Sequence, residues 1–387
     1  MLRVVEAFSG IGAQKEALEK ANIEHEILQT IEWDINAIYA YDIMHHTDFE
    51  PSNLSKRKIV EKLSKLSLSS DGKKALTSRG LMQIREDKLQ RLYAAIKRNK
   101  NLCDITKVRG EMIPDNTDLL TYSFPCQDLS NGSAWYNNNN EGIKKGAGTR
   151  SGLLWEIERI LNERKILDRP LPRFLLMENV NAITSPKHNN NFKHWQEELK
   201  LLGYENKVYR LNALDFGIPQ SRSRTFMLSV RKEDNDSIEF SDLEALVSTE
   251  TDNLSDFLRL DIMEEALEAI PNFTPSRQKI KDANLLLAKD SEILQRFTKT
   301  ISTKQDRNPN AGIIIINDQM RYLTPRETFL LMGFPESKFE KLKKENNITK
   351  YLNDSHFYRM SGNSIVVDVL VKIFEEIERL KGVYFNE

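Results

Sequence analysis

LRVVEAFSGIGAQKEALEKA, residues 2 to 21, holds two hydrophobic periods back to back. LRVVEAF is a short apolar run of the kind that forms a buried strand, and GAQKEALEKA spaces its apolar residues as one face of a helix. Between them Gly10 and Gly12 mark a tight strand-to-helix turn, where the backbone can approach a ligand and the helix start presents free amide hydrogens. The rhythm continues. HEILQTIE reads as a strand, NAIYAYDIM as a helix, TDLLTYSF as a strand, GLLWEIERILNER as a helix, RFLLMEN as a strand and NFKHWQEELKLLG as a helix, before the strand pair YENKVYRL and RTFMLSV. Such alternation over the first 230 residues predicts a doubly wound α/β sheet. Ligands in that fold sit beyond the carboxyl ends of the strands, so the residues that close each apolar run are the candidates for function.

The 387 residues suit a large domain with a smaller one attached. The apolar share of 40% and charged share of 29% are those of a water-soluble globular chain and exclude collagen-like, disordered and membrane classes. MLRVVEAFSG reads as a first strand and not as a signal peptide, so a cytoplasmic location is expected. With only Cys103 and Cys126 no disulfide framework forms, and the scattered histidines give no metal-ligand spacing; no metal is expected. The net charge of -1 conceals a strong local imbalance. Residues 51–100 hold 14 Lys/Arg against 4 Asp/Glu, whereas residues 233–270 hold 1 against 13. The basic block reads either as a solvated helical insertion or as a surface that neutralises phosphates.

Three strand ends carry chemistry. The second strand ends in Glu32, placed 20 residues after Gly12 where an acid can take ribose hydroxyls, and Trp33 beside it can stack on a purine. Lys15 stands where the dinucleotide fingerprint requires its third glycine, which favours a nucleoside without a pyrophosphate. The next runs end in Pro125–Cys126 and in Glu178. A thiol beside a carboxyl, close to a nucleoside, suits covalent catalysis in which sulfur attacks an electrophilic carbon and the acid serves a ring nitrogen. Cys103 reads as a small buried hydrophobe.

In order along the chain, FSGIGAQ, EWD, the Asp104–Ile105 pair, FPCQDLS, ENV at Glu178–Val180, QSRSR at Gln220–Arg224, RYLTPRETFLLMGFP and GNSIVVDVL resemble the motifs of the DNA (cytosine-5)-methyltransferases. The resemblance extends from residue 8 to residue 370. It implies a Rossmann-like domain that uses S-adenosylmethionine, bound by Phe8, Ser9, Gly10, Ile11, Gly12, Glu32, Trp33, Asp104, Ile105, Phe124, Pro125, Asn363 and Ser364. It further implies that Cys126 is the nucleophile, Glu178 the acid at ring nitrogen 3, and Arg222 and Arg224 the donors to the cytosine carbonyl and neighbouring phosphates. The target cytosine would be flipped from the double helix. SNGSAWYNNNNEGIKKGAGTRSG, after Cys126, would close over the DNA.

The same resemblance divides the chain into a catalytic domain, residues 1–232 plus 355–387, and an irregular target-recognition domain with its hinge at 233–354. Gln127, Ser130, Gln220, Arg277, Lys304, Gln305 and Arg307 are expected near double-stranded DNA, and the ninth motif is expected as framework of the small domain. The family context turns residues 51–100 toward a DNA-facing clamp. A monomer is expected, with a restriction endonuclease of the same target as a possible companion. The alternatives are a tRNA cytosine-5 methyltransferase and a catalytically silent DNA-binding protein.

Overall fold

The computed structural model describes residues 1–46, 48–125, 150–232, 237–246, 253–272 and 274–385. Its centre is a six-stranded sheet. The strands are β1 (Leu2–Ala7), β2 (His25–Ile31), β3 (Leu119–Tyr122), β4 (Phe174–Val180), β5 (Tyr204–Asn212) and β7 (Ser223–Arg231), with a two-residue β6 (Gln220–Ser221) outside the sheet. Their order is β2-β1-β3-β4-β7-β5, parallel through β4, with β7 antiparallel to both of its neighbours. The last pair is a local meander, because only ten residues separate β5 from β7, too few for a parallel crossover.

Successive strand residues enter opposite cores. Val4, Leu119 and Leu176 belong to one, packed by α1 (Ala13–Lys20), α2 (Ile35–His45) and the C-terminal helix α13 (Val367–Tyr384). Val5, Leu120, Leu175 and Met177 belong to the other, under α6 (Leu154–Ile166) and α7 (Asn189–Leu201). Both faces are thus covered, which is why these strands read as continuous apolar runs.

The basic segment folds as α3 (Lys56–Leu63), α4 (Ser78–Gln83) and α5 (Glu86–Arg98). Ile59, Val60, Leu63, Leu89 and Leu92 form a satellite core against Ile35 and Ile38 of α2. Beyond residue 253 come α8 (Met263–Glu268), α9 (Pro275–Ala283) and a small sheet of β8 (Leu286–Lys289), β9 (Glu292–Ile293), β11 (Ile313–Ile316) and β12 (Gln319–Arg321), while β10 (Thr298–Lys299) pairs with β6. Leu254, Leu287, Ile301 and Ile314 form the core there.

One expectation changes. The ninth motif, Arg321 to Pro335, folds around α10 (Pro325–Leu330) and ends where α11 (Glu336–Thr349) begins; its Phe329, Met332 and Phe334 join the large core with α1 and α13, while Leu323 and Leu331 face the small one. The motif therefore bridges the two cores instead of belonging to the smaller. GNSIVVDVL spans a helix end and a helix start: Gly362 and Asn363 end α12 (Asp354–Asn363), and α13 begins at Val367. A Cβ at Gly362 would lie 2.5 Å from the Thr303 amide nitrogen, so helix end and small-domain loop approach closer than any side chain permits.

Candidate active site

Register brings the strand ends together. Ala7 pairs with Ile31 on one side and with Tyr122 on the other, and Tyr122 pairs with Met177, so the residues that follow each lie on one edge of the sheet. β1 is the strand at which the chain direction of winding reverses, and the crevice there is where ligands bind in open α/β sheets. A cavity of about 430 Å³ occupies it, within the range of small-molecule sites, roughly 300–1,000 Å³. Phe8, Ser9, Gly10, Ile11, Glu32, Trp33, Asp104, Ile105, Phe124, Pro125, Glu178, Arg222, Arg224, Asn363 and Ser364 all line it.

The turn after β1 is built from left-handed backbone, with φ of 58° at Phe8, 54° at Gly10 and 83° at Gly12. No atom lies within 4 Å of where a Gly10 Cβ would stand, which leaves the backbone open to the cavity. Gly12 differs from the expectation: it is not part of the lining, and a Cβ there would strike His45 and Tyr41 of α2. Its role is close packing beneath the site. Glu32 accepts hydrogen bonds from the Gly10 amide at 3.0 Å and the Asp34 amide at 2.8 Å, which fixes its carboxyl at the cavity wall. Burial, with the Asp34 carboxylate adding repulsion, pushes its pKa up to about 7. The Asn101 amide group braces Glu32 from behind, accepting from the Glu32 amide and donating to its carbonyl, each at 3.0 Å. Nothing in the sequence spacing marks Asn101. Cys103 is a buried thiol pushed up to about 12, inert as expected.

At the other end stands Glu178. Arg224 is opposite Val180 in the antiparallel β4–β7 pair, so it shares a sheet face with Glu178 and brings its Nε to 3.5 Å from Glu178 Oε1. Burial raises the Glu178 pKa above the ordinary carboxylate value, and the Arg224 and Arg222 guanidiniums oppose part of that rise. Burial thus favours the protonated carboxyl and the two guanidiniums favour the ionised one. Asn179, on the other face of β4, donates from Nδ2 to the Phe124 carbonyl at 3.0 Å, and its Oδ1 accepts from the Val180 amide at 2.9 Å. The segment leading into Cys126 is thereby tied to the strand that carries the acid. Asn179 was missed as a functional candidate although its place beside Glu178 in ENV is a local signal. Cys126, Gln127, Ser130 and the Asn-rich loop lie outside the described residues.

Arg222 is placed differently from the expectation. It is 4% exposed, and its terminal nitrogens donate to the carbonyls of Ile301, Gly362 and Ser364 at 2.9–3.0 Å. It therefore staples the small-domain loop and the α12–α13 turn to the sheet. Gln220 is also a correction: fully buried, it donates to the Leu331 carbonyl at 2.7 Å and accepts from the Ile301 amide at 3.0 Å, so it joins domains and does not face DNA. Gln305 is fully buried as well, its amide without a hydrogen-bond partner among the described residues. Arg277 is half-buried, stacked 5.4 Å from the Tyr322 ring and bonded to the Asp306 and Arg307 carbonyls. Lys304 and Arg307 are exposed.

A second, more polar cleft of about 680 Å³ adjoins the cavity and shares Val180, Arg224, Gly362 and Asn363 with it. Lys299, Thr300, Ser302, Thr303, Asn284 and Asn310 of the small domain form its far wall. Neither hydrophobic periodicity nor motif spacing marks any of these six in the sequence. The acid and Arg224 thus stand where the cavity opens into a polar groove.

Residues 73–379 match the model of the C-5 cytosine-specific DNA methylases. The chain belongs to that family. Two relatives support this over nearly the full length: the orphan methyltransferase M.SssI of Spiroplasma monobiae, 34% identical over 97% of each chain, and the type II methyltransferase M2.ScrFI of Lactococcus lactis subsp. cremoris, 34% identical over 97% of this chain and 99% of the relative. Among solved structures, the Dnmt2 methyltransferase of S. pombe shares the fold at a TM-score of 0.65 and 22% identity, covering 98% of this chain and 99% of that one. The methylase therefore places Phe8, Glu32, Phe124 and Glu178 on one rim of a methyltransferase sheet. Among its described residues no helix is long and apolar enough to cross a membrane.

Proposed function

We propose that this DNA cytosine-5 methylase transfers the methyl group of S-adenosylmethionine to a cytosine flipped out of double-stranded DNA at a specific sequence, through a covalent adduct with Cys126. The observation that carries the reading is the single lined space running from Glu32 to Glu178 and opening into the polar cleft. The cavity suits the cofactor: an open carboxylate at Glu32 for ribose hydroxyls, aromatic Phe8 and Trp33 for the purine, and open backbone at Gly10. Bound there, S-adenosylmethionine supplies an electrophilic methyl group.

The chain's own residues do the rest. Carbon 5 of cytosine is a poor nucleophile in an aromatic ring; addition of the Cys126 thiolate to carbon 6 converts the ring to an enamine that can attack the methyl carbon. Glu178 gives or holds the proton at nitrogen 3 as negative charge develops there, and its raised pKa makes the protonated form accessible. Arg224 holds Glu178 and faces the cytosine carbonyl, and Asn179 fixes Phe124 so that the thiolate arrives at carbon 6. Loss of the carbon 5 proton and departure of the sulfur restore the ring and the free thiolate.

The packing supports a target-recognition unit with its own core at about 253–323, smaller than the 233–354 expected from sequence. Lys299, Thr300 and Ser302 are placed to meet DNA, along with exposed Lys304 and Arg307. Service as the modification enzyme of a restriction endonuclease rests on the relative named as type II; the relative named as an orphan leaves an endonuclease unnecessary.

The test uses duplex DNA containing 5-fluorocytosine, whose fluorine cannot leave as a proton does. With S-adenosylmethionine present, a denaturation-resistant protein–DNA adduct is expected from the native chain and none from Cys126→Ser. An enzyme that methylates DNA without forming that adduct would overturn the covalent reading.

A further inference from the structure

The basic insertion contributes one turn to the site. Ser69 bridges the end of β2: its amide donates to the Trp33 carbonyl at 2.8 Å, and its carbonyl accepts from the Ile35 amide at 2.9 Å. This pairing carries Asp71, Gly72 and Lys73 into the lining of the cavity that holds Phe8, Glu32 and Asn363. The turn supports itself, because Asp71 Oδ1 accepts from the Lys73 amide at 2.8 Å, the Lys74 amide at 3.1 Å and the Ser69 hydroxyl at 3.1 Å. Gly72 adopts φ of 70° with open space where a Cβ would stand.

A latch holds the turn from across the site. Arg359 of α12, four residues before Asn363, donates to Asp34 Oδ2 at 2.6 Å and to the Ser70 carbonyl at 3.3 Å. Asp34 in turn caps α2 through the Asn36 amide at 2.9 Å and donates its own amide to Glu32. The inward cations of the insertion serve anchoring: Arg91 and Arg98 pair with Asp42 of α2, and Lys88 bonds Asn36 and the Tyr351 carbonyl.

We propose that residues 69–74 are a wall of the cofactor cavity, latched by Arg359, and that through this turn the insertion sets the affinity for S-adenosylmethionine. The inference rests on the reading of the cavity as the S-adenosylmethionine site. Asp71 and Arg359 are positioning residues: Asp71 shapes the turn, and Arg359 clamps it onto the β2 end that carries Glu32. The wall restricts escape of the nucleoside and excludes water from its exposed side.

Calorimetric titration with S-adenosylhomocysteine, together with KM values for S-adenosylmethionine and for DNA, tests the proposal on the full chain. Asp71→Ala and Arg359→Ala should each weaken cofactor binding by about fivefold to tenfold, the equivalent of one lost hydrogen bond. Arg359→Lys, which keeps a cation, should recover part of the loss. KM for DNA should not move in either variant, and the melting temperature of cofactor-free Asp71→Ala should match the native one, since Asp71 is exposed and supports only its own turn. If the native protein binds cofactor and both alanine variants bind it equally well, the wall is wrong and the cavity assignment stands. If the native protein binds no cofactor, both fall. A rise in KM for DNA alone would assign the turn to the DNA surface and overturn the proposal.

Discussion

Cofactor affinity should depend on pH through Glu32. The carboxyl is pinned by two backbone amides and pushed up to about 7 by burial and by Asp34, against an ordinary value of 4.5. Ribose hydroxyls donate hydrogen bonds, and an ionised carboxylate accepts them more strongly than a protonated one. Binding therefore favours the ionised form, which is half populated near pH 7. The sign follows: lowering the pH protonates Glu32 and weakens binding, while above about pH 8 the dependence vanishes. With a single group at that pKa, the dissociation constant should rise about tenfold between pH 8 and pH 6, equivalent to about 1.4 kcal/mol. Binding at pH 7 should release a fraction of a proton. Calorimetry of S-adenosylhomocysteine binding in buffers of different ionisation enthalpy reads both quantities. Glu32→Gln keeps the size of the side chain and removes the titration, so its affinity should be weaker at pH 8 and flat across the range. A native dissociation constant that does not change from pH 6 to pH 8, or a slope that survives in Glu32→Gln, would refute the assignment of Glu32 to the ribose.

Removing the tie between β4 and the nucleophile segment should separate chemistry from binding. Asn179→Ala leaves the Phe124 carbonyl and the Val180 amide without their partners, at about 1–3 kcal/mol of stability. Single-turnover methylation should slow at least tenfold with cofactor affinity unchanged; a normal rate would show that the tie does not position Cys126. Glu6, fully buried with the Tyr41 hydroxyl at 2.9 Å, is pushed up to about 7. Because its folded pKa lies above the unfolded one, the protonated native state is favoured below about pH 4.5 and loses stability as pH rises through 7. Glu6→Gln should therefore be more stable than the native chain at pH 8, by up to about 3 kcal/mol, and little different at pH 4.5; urea unfolding at the two pH values decides it. Arg57, Lys58 and Lys62 leave the exposed side of α3 charged, and exposed Lys65 follows just beyond its end. Reversal of these four to glutamate should flatten the salt dependence of DNA affinity if α3 clamps phosphates, and an unchanged slope would place the clamp elsewhere.

The alternation of apolar runs and amphipathic helices was legible because burial on both faces leaves a continuous hydrophobic strand, and β1 through β4 follow it closely. The functional ends of those strands were legible for the same reason: Glu32, Pro125 and Glu178 each stand where an apolar run stops, and the strand register makes the stops coincide. Reading failed where residues far apart in sequence converge. QSRSR looks like a string of exposed polar groups, yet Gln220 and Arg222 reach inward to carbonyls 79 to 142 positions away, while Arg224 brings its Nε to 3.5 Å from Glu178.

By itself the sequence determined the sheet, the acid at its rim and the family, since each is encoded by local periodicity or by motifs in fixed order. Only the tertiary structure decided which arginine meets the acid, where the small core begins, and that a turn of the basic insertion borders the cavity at the strand ends. Periodicity reports which face of an element is buried; it carries no information about which distant partner does the burying, because that choice is made by the packing of the whole chain.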